Sequence, residues 1–275
     1  MKKIKFNNEM EMPLIGIGTW PMKGLTLLKA ITYAFKSGYK KIDTASAYSN
    51  EKWIGLALKL NFKRRKDVFI TTKLSNTSQR DGDIRKAFNV SLKRLGVKYV
   101  DLYLMHWPNP DTFIKSWKEM EKLYEEGLVK AIGVCNFQEH HLEELLKVAK
   151  IIPVINQVER HPLLSQKKLI EYCKNKKIIV EAYSPFARMD KKLIENETLV
   201  EISKKYNKEV TQIILRWNYQ NDIPTVPKSS NKERIKQNID ILDFELKDCE
   251  MDKINLLNEN YRVRHNPDNC DFTKL

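Results

Sequence analysis

No stretch of this sequence offers the ~18 consecutive apolar residues that a membrane-crossing helix needs, so no membrane span is expected. The opening MKKIKFNNEMEM carries basic residues but no apolar segment behind them, which argues against a secretory signal, and the few scattered cysteines fit reduced thiols in a cytoplasm best. Cysteine is scarce. Cys135, Cys173, Cys249 and Cys270 lie far apart and none forms a C-x-x-C pair, so neither a disulfide framework nor a metal site is expected. Glycine is scarce too, at 9 residues, and no P-loop pattern occurs. Gly16-x-Gly18 runs into Thr19-Trp20-Pro21 with no third glycine in place, which argues against a doubly wound dinucleotide fold. Also missing is any purely basic arm. Lys+Arg outnumber Asp+Glu 49 to 35, for a net charge of +14, yet the densest knots, at 63–66 and 174–177, are short. A nucleic-acid partner would leave a basic stripe within a recognisable module, so none is expected. The excess charge reads as a lysine-rich, solvated surface.

What is present suffices for one core. The 275 residues are 42% hydrophobic, and a single domain over residues 1–275 is expected, without linker or short-period repeat. Residues 3–6 and 14–18 read as two short strands around an Asn7-Asn8 turn. From there apolar runs and helical periodicity alternate. Further strands are expected at 40–43, 68–72, 100–105, 129–134, 154–157, 178–183 and 223–226. Helices are expected at 27–35, 51–60, 83–95, 112–126, 138–150, 165–176, 193–206, 210–221, 231–241 and 248–258. Eight strands each followed by helix is the pattern of an α/β fold, a (β/α)8 TIM barrel, here with an N-terminal β-hairpin.

In such a barrel the residues that end the strands converge on one mouth. The second strand ends at Asp43, with Tyr48 in the loop after it. The third ends at Lys73, directly after VFITT, and the fourth at His106, in LYLMHWP. Each residue alone has an ordinary explanation, as a cap, a snorkelling lysine, a packed loop tyrosine or a satisfied histidine. Together they are four ionisable groups at the ends of three consecutive strands. A partly desolvated Lys73 wants a carboxylate, and Asp43 is one strand away. The ammonium should lower the tyrosine pKa from about 10, making Tyr48 a general acid usable near neutrality. His106 offers a ring N–H to a substrate oxygen. At the far end of the chain, Asn231 can cap a helix whose start is flanked by Lys228, Ser229, Ser230 and Arg234. That is a place for a dianionic phosphate; the alternative is a solvated basic helix start.

These motifs resemble the aldo-keto reductase family. The resemblance runs from about Leu14 to Phe272. GYKKIDTASAYSNEKWIG, at 38–55, matches the family's first signature except that Lys40 stands where arginine is usual. The family's catalytic tetrad falls on Asp43, Tyr48, Lys73 (in ITTKL) and His106 (in LMHWP). PKSSNKERIKQNI, at 227–239, resembles the phosphate-binding signature, and GVCNF, INQVE and EAYSPF resemble the segments that hold a nicotinamide. The resemblance implies NADPH as cofactor. Its contacts would come from Gly18, Thr19, Trp20, Asp43, Cys135, Asn136, Gln157, Tyr183, Ser184, Lys228, Ser229, Ser230, Arg234, Gln237 and Asn238. Asn136 and Gln157 would take the carboxamide, Tyr183 the ring, Lys228 and Ser229 the 2′-phosphate, and Arg234 the adenine. Cys135 stands where serine is usual and is a weaker donor. Gln237 stands where glutamate is frequent near the adenine, so that charge is lost. The tail RVRHNPDNCDF resembles bacterial members of the diketogluconate-reductase type.

The implied activity is reduction of a small aldehyde or ketone, with Tyr48 as proton donor and Trp20, Tyr48, His106 and Trp107 around the substrate. The loop at 185–192 and the tail are short, which suggests an open pocket for small polar carbonyls such as glyoxals, keto-sugars or simple aldehydes. A monomer is expected. The alternatives are a nicotinamide-binding regulatory or partner-binding barrel with little turnover, and a barrel of unrelated chemistry.

Overall fold

The computed structural model describes residues 2–61 and 65–274, so Lys63 and Arg64 of the first basic knot lie outside the described residues. The chain opens with a hairpin in which β1 (Lys3–Lys5) pairs antiparallel with β2 (Glu11–Pro13). This corrects the expected pairing with 14–18. Glu9, at φ 69°, completes the turn, and its early closure puts Met12 opposite Ile4. Met12 and Phe6 then pack against Phe69, Leu102, Ala131 and Val154. Those residues begin or precede barrel strands, so the hairpin plugs the amino-terminal end and leaves the other end open.

Seven strands follow in parallel, each hydrogen-bonded to the next in chain order: β3 (Ile17–Gly18), β4 (Lys41–Asp43), β5 (Phe69–Leu74), β6 (Leu102–Met105), β7 (Ile132–Cys135), β8 (Ile155–Glu159) and β9 (Ile179–Tyr183). The eighth, expected at 223–226, is reduced to one residue. Thr225 bridges Ile15 on one side and Ala182 on the other. Gly16 N–H donates to Thr225 O at 2.9 Å, Thr225 N–H to Leu14 O at 2.7 Å, and Ala182 N–H to Pro224 O at 2.8 Å, which closes the barrel. Val226 N–H also donates to Ala182 O at 3.2 Å and Gly18 N–H to Pro227 O at 3.0 Å, but Pro224 and Pro227 have no N–H to donate, so no regular ladder builds up around Thr225.

Helices cover the outside. Helix Gly24–Lys36 buries Leu27, Ala30, Ile31 and Ala34, one stripe at helical spacing. Helix Ile84–Leu95 ends on Gly96 at φ 66°, a left-handed closure that glycine adopts without strain. The helix expected over 193–206 is split into Lys191–Ile194 and Glu197–Tyr206, because the Asn196 side chain accepts Leu199 N–H at 3.3 Å and starts a new helix. The helix expected over 138–150 stops at Leu146. Beyond it, Glu121 Oε1 accepts N–H groups of Lys150 and Ile151 at 2.7 and 2.9 Å and turns the chain toward β8. Helix Asn76–Asp81, capped by Ser75, was not expected from the sequence.

The barrel interior is not wholly apolar. Lys41 and Glu181 form an ion pair with both side chains fully buried. The aliphatic part of Lys41 lies across Gly16, where a Cβ would come within 2.7 Å of Lys41 Cε. Only glycine leaves room for that lysine.

Candidate active site

The strand ends set the site. Asp43 ends β4, Lys73 lies near the end of β5, His106 follows β6, Asn136 follows β7, Gln157 is in β8 and Tyr183 ends β9. A cavity of about 860 Å³ opens at this edge. It is lined by Gly18, Thr19, Trp20, Asp43, Tyr48, His106, Trp107, Cys135, Asn136, Gln157, Tyr183 and Ser184, and it continues to Lys228, Ser229, Ser230, Arg234, Gln237 and Asn238. Of the residues singled out in the sequence, Lys73 alone is not in the wall; it lies buried beside Asp43.

Lys73 Nζ donates to Asp43 Oδ1 at 2.6 Å and to Thr44 O at 2.9 Å. Tyr48 hangs from a short helical turn, Ser46–Tyr48, which Ser46 Oγ ties to Lys73 O at 2.9 Å. That bond places the lysine 5.4 Å from the centroid of the Tyr48 ring. The Tyr48 and His106 rings meet edge to face at 5.7 Å. Both are half-buried, with the cavity as their open side.

Burial pushes the Tyr48 phenol up to about 12; Lys73 pulls it the other way but is outweighed. This corrects the expectation that the lysine would bring Tyr48 down. The phenol is held protonated throughout the physiological range, as a donor must be. Burial, reinforced by Lys73 and Arg264, pushes His106 down to about 3, so its ring is neutral. Burial acts to lower Lys73 too, but Asp43 and Tyr48 overcome it and the ammonium is stabilised. Asp43 is raised by burial, with Lys73 opposing. The result is a neutral phenol and a neutral imidazole facing one space, with an ion pair behind them. Such a set can hold an oxygen and give it a proton as negative charge develops there.

Two amides sit beside this centre. Gln157 Nε2 donates to Asp43 Oδ2 at 2.8 Å and to Glu181 Oε2 at 2.7 Å, which joins the active-site acid to the buried Lys41–Glu181 pair. Asn136, at φ 63°, donates from Nδ2 to His106 O at 3.0 Å and accepts the Tyr183 hydroxyl at 2.7 Å. One N–H of Asn136 and the Oε1 of Gln157 are left, the latter facing only the Cys135 thiol at 3.9 Å. One spare donor and one spare acceptor match a primary carboxamide. Glu181 and Lys41 were missed in the sequence. For Glu181 the available signal was a charged residue in the middle of a short apolar strand; Lys41, at the start of β4, carried none.

Cys135 is buried, and burial pushes its thiol well up. A thiol reagent should therefore modify exposed Cys249 first and the buried pair, Cys135 and Cys173, last, whether or not a nicotinamide is bound. Peptide mass spectrometry of a labelling time course checks this; early modification of Cys135 would contradict its placement.

At the far end of the cavity, Asn231 Oδ1 accepts Arg234 N–H at 3.0 Å and caps helix Lys232–Ile239, while Ser229 Oγ accepts Asn231 N–H at 3.1 Å. Lys228 and Arg234 line the cavity, and among the described residues neither side chain has an acid partner. Two free cations beside a helix start suit a phosphate dianion.

The C-terminal tail adds residues that sequence reasoning did not single out. Glu159 ends β8 with its carboxylate fully buried. It accepts the backbone N–H groups of Val263 at 2.7 Å and Arg264 at 3.0 Å, and so holds the tail over the mouth. The Arg264 guanidinium lies 5.5 Å from the Trp20 ring centroid, and that of Arg188, from the loop after β9, lies 4.8 Å from it. The His265 ring packs on Trp107 at 6.3 Å. No local pattern announces contacts across about a hundred residues of chain.

Comparison with known proteins agrees with this geometry. The aldo/keto reductase family pattern matches residues 14–259. The chain is 47% identical to glyoxal reductase of Bacillus subtilis over 270 residues, which is 98% of this chain and 97% of that one. The crystal structure of MGS-M4, an aldo-keto reductase from a Medee basin deep-sea metagenome library, superposes with a TM-score of 0.95 at 44% identity, covering 98% of this chain and 99% of the other. The Bombyx mori aldo-keto reductase solved in complex with NADP has a TM-score of 0.88 at 34% identity, covering 97% and 96%. The motifs at the strand ends, the closed parallel barrel and these matches along nearly the whole chain agree, and the protein belongs to the aldo/keto reductase family.

Proposed function

We propose that the protein reduces small aldehydes or ketones to alcohols, with NADPH as cofactor. The observation that carries this reading is a single cavity with a protonated phenol over a buried Lys–Asp pair at one end and two unpaired cations beside a capped helix at the other. Tyr48 gives its proton to the carbonyl oxygen. Lys73 and Asp43 stabilise the phenolate that remains, and neutral His106 orients the oxygen. Asn136 and Gln157 hold the carboxamide with their spare donor and acceptor, with Tyr183 against the ring and Cys135 and Ser184 at its edge. Gly18, Thr19, Trp20 and Asp43 line the path between. Lys228, Ser229 and Ser230 take the 2′-phosphate together with the Arg234 guanidinium, which also meets the adenine beside Gln237 and Asn238. When bound, NADPH supplies hydride at the carbonyl carbon. Trp20 and Trp107 wall the substrate.

Relatives support small polar carbonyls as substrates, among them glyoxal reductase of Bacillus subtilis and methylglyoxal reductase of Escherichia coli. The tail motif supports the diketogluconate-reductase-like branch. One domain acting as a cytoplasmic monomer, without nucleic acid, completes the proposal; no helix among the described residues is long and apolar enough to cross a membrane. Loss of NADPH absorbance in the presence of a panel of carbonyls tests the activity. Binding of NADPH with no turnover of any carbonyl would favour a regulatory barrel instead.

The phosphate end makes a separate prediction. Charge-assisted bonds contribute about 1.5–3 kcal/mol each, so NADPH should bind at least about tenfold more tightly than NADH. Arg234→Ala should remove much of that preference and leave kcat at saturating cofactor nearly intact. Fluorescence titration with both cofactors decides; equal affinities in the wild type, or an unchanged ratio in the variant, would remove the phosphate from this place.

A further inference from the structure

Arg264 has no part in the chemistry proposed above, yet it stands at the reacting end of the cavity. Its guanidinium is 5.5 Å from the Trp20 ring centroid, and its charge helps to lower His106 and opposes the rise that burial imposes on Tyr48. Among the described residues no hydrogen bond or ion pair engages that guanidinium. Asp43, the acid in the cavity wall at this end, is already held by Lys73 and Gln157. Arg264 is half-buried, and a cation in such a place without a carboxylate beside it favours an anionic visitor.

The placement is built. Glu159 holds the tail by two backbone N–H groups, and His265, the next residue, packs on Trp107. Each tryptophan wall of the substrate space therefore carries one tail residue. Arg188 brings a second unengaged guanidinium to Trp20 from the loop after β9. A planar guanidinium fork fits a carboxylate or a phosphate through two parallel bonds. The indole rings can cover the short apolar part of a substrate between that anion and the carbonyl.

We propose that the site selects carbonyl compounds that carry an anionic group, a carboxylate or a phosphate, with Arg264 as the residue that binds it. This rests on the carbonyl-reduction reading and narrows its substrate class.

Matched substrates test it, with the full-length protein at saturating NADPH. One pair is 4-oxobutanoate against butanal; the other is glyceraldehyde 3-phosphate against glyceraldehyde. The readout is the ratio of kcat/KM within a pair. The wild type should prefer the anionic member of at least one pair by about tenfold, the gain expected of one charge-assisted contact. That preference should shrink as salt is raised. Arg264→Ala should reduce the ratio about tenfold, chiefly through KM, whatever it does to the neutral partner. Arg264→Lys should recover part of the loss. The pair that responds identifies the anion. Wild-type ratios near one in both pairs, or a ratio unchanged in Arg264→Ala, overturn the proposal, while turnover of the neutral aldehydes leaves carbonyl reduction standing. If no member of either pair consumes NADPH, the reduction reading itself has failed and this proposal goes with it. Should Arg264→Ala not fold, the salt dependence of the wild-type ratio decides alone: a ratio above one that is insensitive to salt overturns the proposal.

Discussion

Tyr48→Phe should lower kcat for carbonyl reduction by about 10²–10⁴-fold, the usual contribution of a positioned acid, and leave NADPH affinity within about twofold. The variant keeps the ring that meets His106 edge to face and loses only the hydroxyl. The protonation states sharpen the expectation. With the phenol pushed up to about 12 and His106 down to about 3, neither group titrates across the neutral range. Reduction by the wild type should therefore show no limb from either group between roughly pH 6 and pH 9. Stopped-flow measurement of the first turnover separates chemistry from cofactor release. A variant that keeps more than about a tenth of the wild-type first-turnover rate would remove Tyr48 as the proton donor.

Lys73→Met should reduce kcat by at least about 10²-fold, comparable to removing one preorganised charge-stabilising donor, and the barrel should stay folded. Methionine fills most of the buried volume but leaves Asp43 with the Gln157 amide as its remaining partner. The expected loss of stability is about 1–3 kcal/mol. Its pH dependence follows from the direction of the Asp43 shift. Burial already raises that carboxyl, and removing the ammonium takes away the group that opposes the rise. A raised acid is penalised only when ionised. Below the unfolded aspartate pKa of about 4, Asp43 is protonated in both states and its share of the variant's deficit disappears. As pH climbs toward neutrality the deficit should grow. Thermal melting at a series of pH values, together with carbonyl reduction, checks both parts; full activity in a folded Lys73→Met protein would sink the lysine's role.

The contrast between these groups and the rest of the site shows what a sequence can carry. Asp43, Lys73 and His106 were legible because an ionisable residue at the end of an apolar run is a local signal, and the barrel topology alone brings such ends together. Asn231 was legible as a cap for the same reason. The Tyr48 pKa was not. Its lysine neighbour can be inferred from strand order, but the burial that outweighs the lysine is a property of the finished cavity. The network from Lys41 through Glu181 and Gln157 to Asp43 was missed because each link joins different strands. The apolar neighbours of Thr225 look like a full strand, while the two prolines that limit its pairing act through missing N–H groups, which no apolar pattern reveals. An Asn-Asn turn does not say how soon the chain returns, and the second strand of the hairpin comes a few residues earlier than the apolar run at 14–18 suggests.

Glu159 has a consequence for how this mouth can change over generations. Its carboxylate grips Val263 and Arg264 by their backbone N–H groups and not by their side chains. Every amino acid except proline presents that same N–H. Apart from the Arg262 guanidinium, which lies 4.0 Å from the same carboxylate, the clamp does not depend on what the tail displays, and a mutation at position 264 can replace the guanidinium over Trp20 by a neutral or an acidic group without releasing the tail. On the anion-selecting role proposed for Arg264, substrate preference at this edge is a separable trait. It can drift by single codon changes while the barrel, the proton donor and the cofactor cradle are left as they are.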